Sequence, residues 1–412
     1  MRAAAVIAEF NPFHSGHRLL LQSCREKAGA DVVAVVMSGN FVQRGAPACM
    51  DRRVRTLAAL RCGADVVLEL PLPYAMATAE RFAFGAVSVL AGLGGVELLA
   101  FGSECGDLSL LQSAAHKAEQ AENSQCFRLL LQKGYSFAQA RQGALEEMGE
   151  GGLLRSPNNA LAVEYLRQLK LQKAQMEPFT IPRQGAGHDE AVPRGAYASG
   201  SMLREALFRG REQELCRYLP PEIFALTVQG AGELADVTRG ERAILSRLRG
   251  MTHQQFSRLP DCSEGIENRL YKAVRQACTL EQLYAMIKTK RYTLARVRRL
   301  VLSAFLQVDG PLCRQSAPYA HLLGFTPAGK ALLSRWKSTA AIPLSPSLRL
   351  LERQNETAQR FARLEAAADD QYAVFLPQLR PCGYAYTAPV VTIGENKTEE
   401  SEYGTDNARA DL

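Results

Sequence analysis

Four short apolar runs alternate with helical stretches over the first hundred residues, and this alternation limits the possible folds more than any other feature of the chain. Ala3–Phe10, Asp31–Met37 ("DVVAVVM"), Asp65–Leu70 ("DVVLEL") and Val96–Phe101 ("VELLAF") read as strands. Between them, His17–Lys27, Asp51–Arg61 and Ala79–Leu90 repeat apolar residues at helical spacing, with Val54, Leu57, Ala58 and Leu60 forming one face of the second helix. Strands apolar on both sides and joined by helices imply βαβ crossovers, hence an α/β fold built on a parallel sheet. Ligands of such sheets sit beyond the carboxyl ends of the strands. Here those ends read "NPFHSGH", "SGNFVQRG", "ELPLPYA" and "FGSECGD", all expected on one edge.

The first of these ends carries the strongest chemistry. The strand stops at Asn11-Pro12 and a helix starts near His17, so His14 and His17 flank Gly16 at a helix N-terminus, where anions are readily held. Two imidazoles three residues apart can both donate to phosphate oxygens and stabilise the extra charge of a pentacoordinate phosphorus. The bland alternative is a pair of surface histidines on a loop. Further along, Ser199-Gly200-Ser201-Met202-Leu203-Arg204 offers two hydroxyls, a fresh helix start and an arginine one turn in, which make an anion cradle or a plain helix cap. Gly102 at the end of the fourth strand lets an adenine or ribose lie against the backbone, or simply makes a turn. Asn158 in "RSPNNALAVEY" and Arg183 after the sheet-like "FTIPRQG" are further nucleotide candidates. In "MSGNFVQRGAP", Asn40, Gln43 and Arg44 face the same edge and are candidates for a second substrate, or are solvated. There is no Gly-Lys-Ser/Thr ending of a P-loop, no G-x-S-x-G and no metal-ligand cluster.

Residues 1–211 are thus expected to form an ATP-binding catalytic domain. From Glu212 the pattern turns helical to about residue 345, and within it Met286–Leu300 ("MIKTKRYTLARVRRL") carries Lys288, Lys290, Arg291, Arg296, Arg298 and Arg299 with no acid among them. Tyr292 interrupts these charges and is positioned by sequence to stack on a base, so 212–345 is expected to bind nucleic acid unless the run is an ordinary solvated face. A small segment, 346–394, contains the aromatic "QYAVFLPQLRPCGYAYTAPVVTI" and is expected to form a hairpin or small sheet. Residues 395–412 carry six acids against Lys397 and Arg409 and read as a disordered tail. The net charge of +7 is therefore more basic by four units over the rest of the chain. Ten cysteines without a C-x-x-C pair, no 18-residue apolar run and no export-type N-terminus point to a cytoplasmic protein with reduced thiols.

Taken together, "VIAEFNPFHSGH", "MSGNFVQRGAPA", "GADVVLELP", "FGSECGD", "SPNNALAVEY" and "KTKRYTLARVRR" resemble the tRNA(Met) cytidine acetate ligase family, a branch of the HxGH nucleotidyltransferases, from residue 1 to about 340. The resemblance implies a Rossmann-like parallel-sheet nucleotidyltransferase domain followed by a mostly helical domain. It implies activation of acetate by ATP as acetyl-adenylate, then acetylation of N4 of the wobble cytidine in elongator tRNA(Met). On this basis His14 and His17 are the catalytic pair. ATP is expected against Ile7, Ala8, Glu9, Phe10, Asn11, Pro12, Phe13, His14, Ser15, Gly16, His17, Arg18, Leu19 and Leu20, with Gly102, Asn158, Arg183, Ser199, Ser201 and Arg204. Mg²⁺ is expected to arrive on the ATP phosphates. The basic run is expected to hold the tRNA. Two alternatives stay open at this level: a small-molecule adenylyltransferase, and a non-catalytic RNA-binding protein with the same fold.

Overall fold

The structure is a computed structural model that describes residues 1–183 and 197–394. The acidic tail at 395–412 and most of the polar loop before Tyr197 lie outside the described residues. One mixed sheet organises the molecule. Its strands are β1 (Ala3–Ala8), β2 (Val32–Ser38), β3 (Val66–Leu70), β4 (Leu98–Ser103), β5 (Glu177–Pro182), β6 (Ala320–Phe325), β7 (Leu344–Ser345) and β8 (Val391–Thr392). They lie in the order β8-β6-β3-β2-β1-β4-β5, with β7 paired to β6. All neighbours are parallel except β3 and β6, where Val66 pairs antiparallel with Phe325.

The order 3-2-1-4-5 places a topological switch between β1 and β4, where successive connections turn to opposite sides of the sheet. A crevice opens there beyond the strand ends. Helices cover both faces. Those used below are α1 (Ser15–Glu26), α2 (Arg52–Arg61), α3 (Ala79–Leu93), α4 (Pro157–Leu171), α5 (Gly200–Phe208), α6 (Leu294–Leu306) and α7 (Glu356–Tyr372). Alternate residues of each strand go to opposite cores. Ala4, Val6, Val33 and Val35 pack with Leu21 and Cys24 of α1 and Ala58 and Ala59 of α2. Ala5, Ile7, Ala34, Val36, Leu99 and Phe101 pack with Phe82, Val87 and Leu90 of α3. Because both faces are buried, the central strands are apolar throughout rather than alternating.

The expected strands and helices of the first hundred residues appear within two or three residues of their expected limits. Between β4 and α4 lie three further helices, Leu108–Asn123, Gln125–Gln132 and Phe137–Glu147, which the sequence pattern did not single out. Two expectations about the rest of the chain need correction. Segment 212–345 is not helical to its end, because Ala320–Phe325 inserts into the catalytic sheet beside β3. Six mostly apolar residues have no periodicity that separates a buried strand from a helix turn. The aromatic C-terminal stretch forms neither a hairpin nor a small sheet of its own. Tyr372 ends α7 and Phe375 follows in a single turn, both buried in the helical core beside Phe41, and only Val391–Thr392 pairs, with β6. Burial of these rings against helices outweighs their strand propensity. Both later segments therefore contribute strands to the sheet that begins the chain.

Candidate active site

The turn from β1 to α1 carries the histidine pair. His14 takes extended dihedrals (φ −152°, ψ 174°) and caps α1. Its Nδ1 accepts the Gly16 N–H at 3.1 Å, while its own N–H donates to His17 Nδ1 at 3.2 Å. This is a capping box in which both side chains are histidines. The two rings stack 3.7 Å apart at 23°, and Phe10 and Phe13 pack edge-on and tilted against His17. With each Nδ1 accepting from the backbone, the neutral form of each ring carries its proton on Nε2. Burial, reinforced by His14 and Arg183, holds His17 well below the usual histidine range, so it is neutral at physiological pH. The helix start thus presents ring N–H donors at the positive end of its dipole, its first backbone N–H groups being taken up by the Tyr218 carbonyl and by His14.

A second helix start is fastened to the same turn. Ser199 Oγ accepts the Met202 N–H at 3.2 Å and caps α5. Arg204 donates from Nη1 to the carbonyl of Asn11 at 2.7 Å and from Nη2 to Ser201 Oγ at 3.1 Å. A cation and a hydroxyl therefore stand beside the histidines, although two hundred residues separate them in sequence. On the other side of the switch, Arg183 runs along β4, and a Cβ at Gly102 would lie 3.3 Å from Arg183 Cγ. Asn158 has a structural partner: its Nδ2 donates to Glu104 Oε1 at 2.6 Å, and the same carboxylate receives the backbone N–H groups that open α4.

These elements enclose a cleft of about 1400 Å³. Of Ile7–Leu20, all but Phe13, Ser15 and Arg18 line it, as do Gly102, Asn158, Arg183, Ser201 and Arg204. The exceptions have other tasks. Phe13 is buried in the core, Ser15 Oγ donates to the Tyr218 carbonyl at 2.7 Å, and Arg18 pairs with Glu222 at 2.9 Å. Ser199 acts through the helix cap. Of the loop residues, Gln43 and Arg44 reach the cleft, but Asn40 does not: it is buried, accepting the Arg52 N–H and donating to Asp369, both at 2.7 Å. Glu9 faces the same loop, and its Oε1 accepts the Gln43 N–H at 2.7 Å.

The basic run forms part of the cleft wall, with its charges divided between two roles. Arg296 pairs with Glu264 at 2.9 Å and Arg299 with Asp261 at 2.7 Å, so acids from another segment neutralise them. Arg291 donates to the Leu131 carbonyl, Lys290 lies 3.5 Å over the Tyr135 ring, and Arg298 lies 5.8 Å from that of Tyr284. Lys288 and Arg298 are exposed. Tyr292 does not offer its ring to a base: it is buried in the helical core with its hydroxyl donating to the Glu264 carbonyl at 2.7 Å. Gly45 joins the loop to this helix. It has φ +72°, and a Cβ there would fall 2.4 Å from Arg299 N, so the loop backbone lies directly on α6.

Two residues that position the site carry no signal in the sequence. Arg55, one of many arginines in "DRRVRTLAALR", is 1% exposed and reaches the carbonyls of Glu9, Ser38, Gly39 and Met50, tying the ends of β1 and β2 together. Arg52, also buried, pairs with Glu69 at 2.9 Å and Asp369 at 3.5 Å, and His321 meets Glu69 at 2.6 Å. Burial opposes ionisation of Glu69, yet Arg52 and His321 hold its carboxyl down to about 2. Only their placement in three dimensions distinguishes these arginines from solvated ones. Among the described residues no group of three or more His, Cys, Asp or Glu is arranged to hold a metal ion, and no helix is long and apolar enough to cross a membrane.

Comparison with known proteins agrees with this fold. The family model for HIGH nucleotidyl transferases matches residues 1–384, further than the motifs alone reach. The chain is 33% identical over 404 residues to the tRNA(Met) cytidine acetate ligase of Thermoanaerobacter sp. (strain X514), covering 95% of this chain and all of the relative. It is 39% identical over 365 residues to that of Syntrophotalea carbinolica, covering 84% and 85% of the two chains. Among solved structures, Thermotoga maritima TmcAL superposes with a TM-score of 0.88 in its apo form and 0.87 when bound with alpha-thio ATP. Each is 31% identical and covers 96% of this chain and all of the other. The match extends over nearly the whole chain, including the C-terminal strands that complete the sheet, and the protein belongs to the tRNA(Met) cytidine acetate ligase family of HIGH nucleotidyl transferases.

Proposed function

We infer that this protein is an ATP-dependent ligase that activates acetate and transfers the acetyl group to a cytidine of tRNA(Met). The observation that carries the chemistry is the histidine capping box at the switch point with Arg204 fastened to the same turn. A carboxylate oxygen attacks the α-phosphorus of ATP, pyrophosphate leaves, and the extra negative charge of the pentacoordinate state falls where the Nε2–H groups can donate, at the positive end of α1. His14 and His17 are the catalytic pair in this reading. Ser201, Arg204 and Arg183 supply further donors and positive charge for the phosphates, and Gly102 leaves room for the nucleoside. Activation is needed because a free carboxylate is a poor acyl donor, whereas AMP leaves readily from acetyl-adenylate. The acceptor is N4 of the wobble cytidine of elongator tRNA(Met).

Mg²⁺ travels with the triphosphate in this reading and screens its charge. Residues 1–211 carry the adenylation chemistry, 212–345 dock the tRNA chiefly through Lys288, Lys290, Arg291 and Arg298, and 346–394 brace both. The site of action is the cytoplasm, in keeping with ten free thiols. The test supplies labelled acetate, ATP, Mg²⁺ and bacterial tRNA lacking the modification, then digests the RNA to nucleosides. ATP-dependent label in N4-acetylcytidine is expected. Label in no nucleoside, with pyrophosphate exchange stimulated only by another acid, would remove the tRNA substrate from the reading.

A further inference from the structure

Glu9 follows directly after β1, at the switch point and in the cleft wall, yet its own charge does not suit a group that faces phosphate. A carboxylate against a triphosphate or an acetate ion sets like charges together. Glu9 instead faces the loop assigned above to the second substrate. Its Oε1 is held by the Gln43 N–H at 2.7 Å, and its main-chain carbonyl accepts from Arg55 Nη1 at 2.7 Å, so both the carboxylate and the backbone of the residue are held. Gln43, which supplies that N–H and lines the cleft, also has its side-chain Nε2 buried without a hydrogen-bond partner. Such donors are costly to leave unmet and mark places where a ligand or water completes the bonding.

A carboxylate acceptor next to an amide donor is the complement of one edge of cytosine, which presents its exocyclic N4–H₂ donor beside the N3 acceptor. Acetate and phosphate offer only acceptors and match half of it. We propose that Glu9 is the general base of the acyl-transfer step, taking the proton from the exocyclic amine while the Gln43 side-chain amide holds the adjacent ring nitrogen. This rests on the tRNA-acylating function inferred above. In the step, the amine nitrogen forms a bond to the carbonyl carbon of the acyl-adenylate. The bond from that carbon to the phosphate oxygen breaks, and AMP leaves with the electron pair. The amine proton passes to Glu9 Oε2, since Oε1 is engaged by Gln43, and then to solvent.

The charged and titratable groups that face Glu9 are Arg204 of α5, Arg55 of α2, Arg44 of the loop and Tyr165 of α4. Burial pushes the Glu9 carboxyl up from the usual carboxylate range, and the Gln43 N–H with the three guanidiniums partly opposes this. The direction is the one a base working near neutrality needs.

Glu9→Gln tests the assignment, because it keeps an oxygen for the Gln43 N–H while removing the proton acceptor. The measurements are acetate-dependent ATP–pyrophosphate exchange without RNA, and single-turnover transfer from enzyme-bound labelled acetyl-adenylate to unmodified tRNA(Met) across pH. The ratio of transfer to exchange is expected to fall by about 100-fold or more, and the rise of the transfer rate with pH to disappear. Glu9→Asp should show the same split with a smaller amplitude, and Gln43→Ala should weaken RNA use more than exchange. If transfer and exchange fall together, Glu9 serves adenylation and the proposal is wrong. Transfer by Glu9→Gln at the wild-type rate and pH profile would also overturn it. Wild-type protein that exchanges pyrophosphate yet never labels tRNA would overturn the functional reading and this proposal with it.

Discussion

The double role of the histidines allows catalysis to be separated from folding. Each ring uses Nδ1 to satisfy a backbone N–H and presents Nε2–H as a donor. Asparagine places Oδ1 close to the position of a histidine Nδ1, so His14→Asn and His17→Asn keep the capping box and delete only the Nε2 donor. Asparagine is also among the best N-cap residues. Stability should therefore change by less than about 1 kcal/mol in His14→Asn, and by more in His17→Asn, whose ring packs against Phe10 and Phe13. Loss of one preorganised donor to a developing oxyanion costs about 2.7–4 kcal/mol, or 10²- to 10³-fold in rate. His14→Ala removes the cap as well and should lose about 1 kcal/mol of stability beyond the same catalytic deficit. The double Asn variant should fall short of the product of the two single effects, because both rings serve one phosphate. The assay is acetate-dependent ATP–pyrophosphate exchange at saturating ATP, run beside thermal unfolding of the same preparations. Near-wild-type exchange in both Asn variants would refute the role given to the pair. A His17→Asn protein as unstable as His17→Ala would refute the cap.

Gly45→Ala should destabilise the protein by about 1–2 kcal/mol from handedness alone, and more from the 2.4 Å approach to Arg299 N; unfolding midpoints equal to wild type would contradict the loop-to-helix contact. Arg52→Met orphans Glu69 and Asp369 and should cost about 3–5 kcal/mol at pH 8. In that variant the folded-state carboxyl pKa values rise above their unfolded values, so the deficit should shrink as pH falls through them; a deficit independent of pH would assign the loss to packing instead. Reversing charge at Lys288 and Arg298 should weaken tRNA binding and flatten its dependence on salt, while reversal at Arg296 and Arg299 should mainly lower thermal stability, because those two are paired with Glu264 and Asp261. Equal effects of the two pairs on binding would show that the exposed cations are not the contact. In the ligand-free protein His17 should stay neutral well below pH 6.5, which nitrogen chemical shifts followed during acid titration will test.

The parallel strands around the switch point were legible because buried strands cannot hide: "AAAVIA" and "DVVAVVM" have few other uses. The histidine cap was legible because strand end, turn and helix start are contiguous, and the chemistry of the turn is local. Long-range relations were not. Nothing in "DRRVRTLAALR" separates Arg52 and Arg55, buried and bonded, from Arg61 at the surface, since partners such as Asp369 lie three hundred residues away. In the same way "KTKRYTLARVRR" contains no acid, yet Asp261 and Glu264 fold against it and cancel part of its charge. Strand β6 escaped notice because six mostly apolar residues carry no period of their own. Phe13, Ser15 and Arg18 sit inside the right motif but turn away from the cleft, a distinction that depends on what the turn and α1 pack against.

The antiparallel insertion of β6 has a consequence for synthesis on the ribosome. The parallel strands β1 to β4 are complete within the first quarter of the chain, but β3 keeps an unpaired edge until residues 320–325 emerge, about 250 residues later. At roughly 5–20 residues per second that is a wait of roughly 12–50 s. During that time a Val- and Leu-rich strand edge is exposed, and Arg52 and Glu69 lie together without Asp369 or His321. A nascent chain in this state is a natural client for a holding chaperone, and fragments ending before β6 should be recovered as aggregates rather than as a working nucleotide-binding unit.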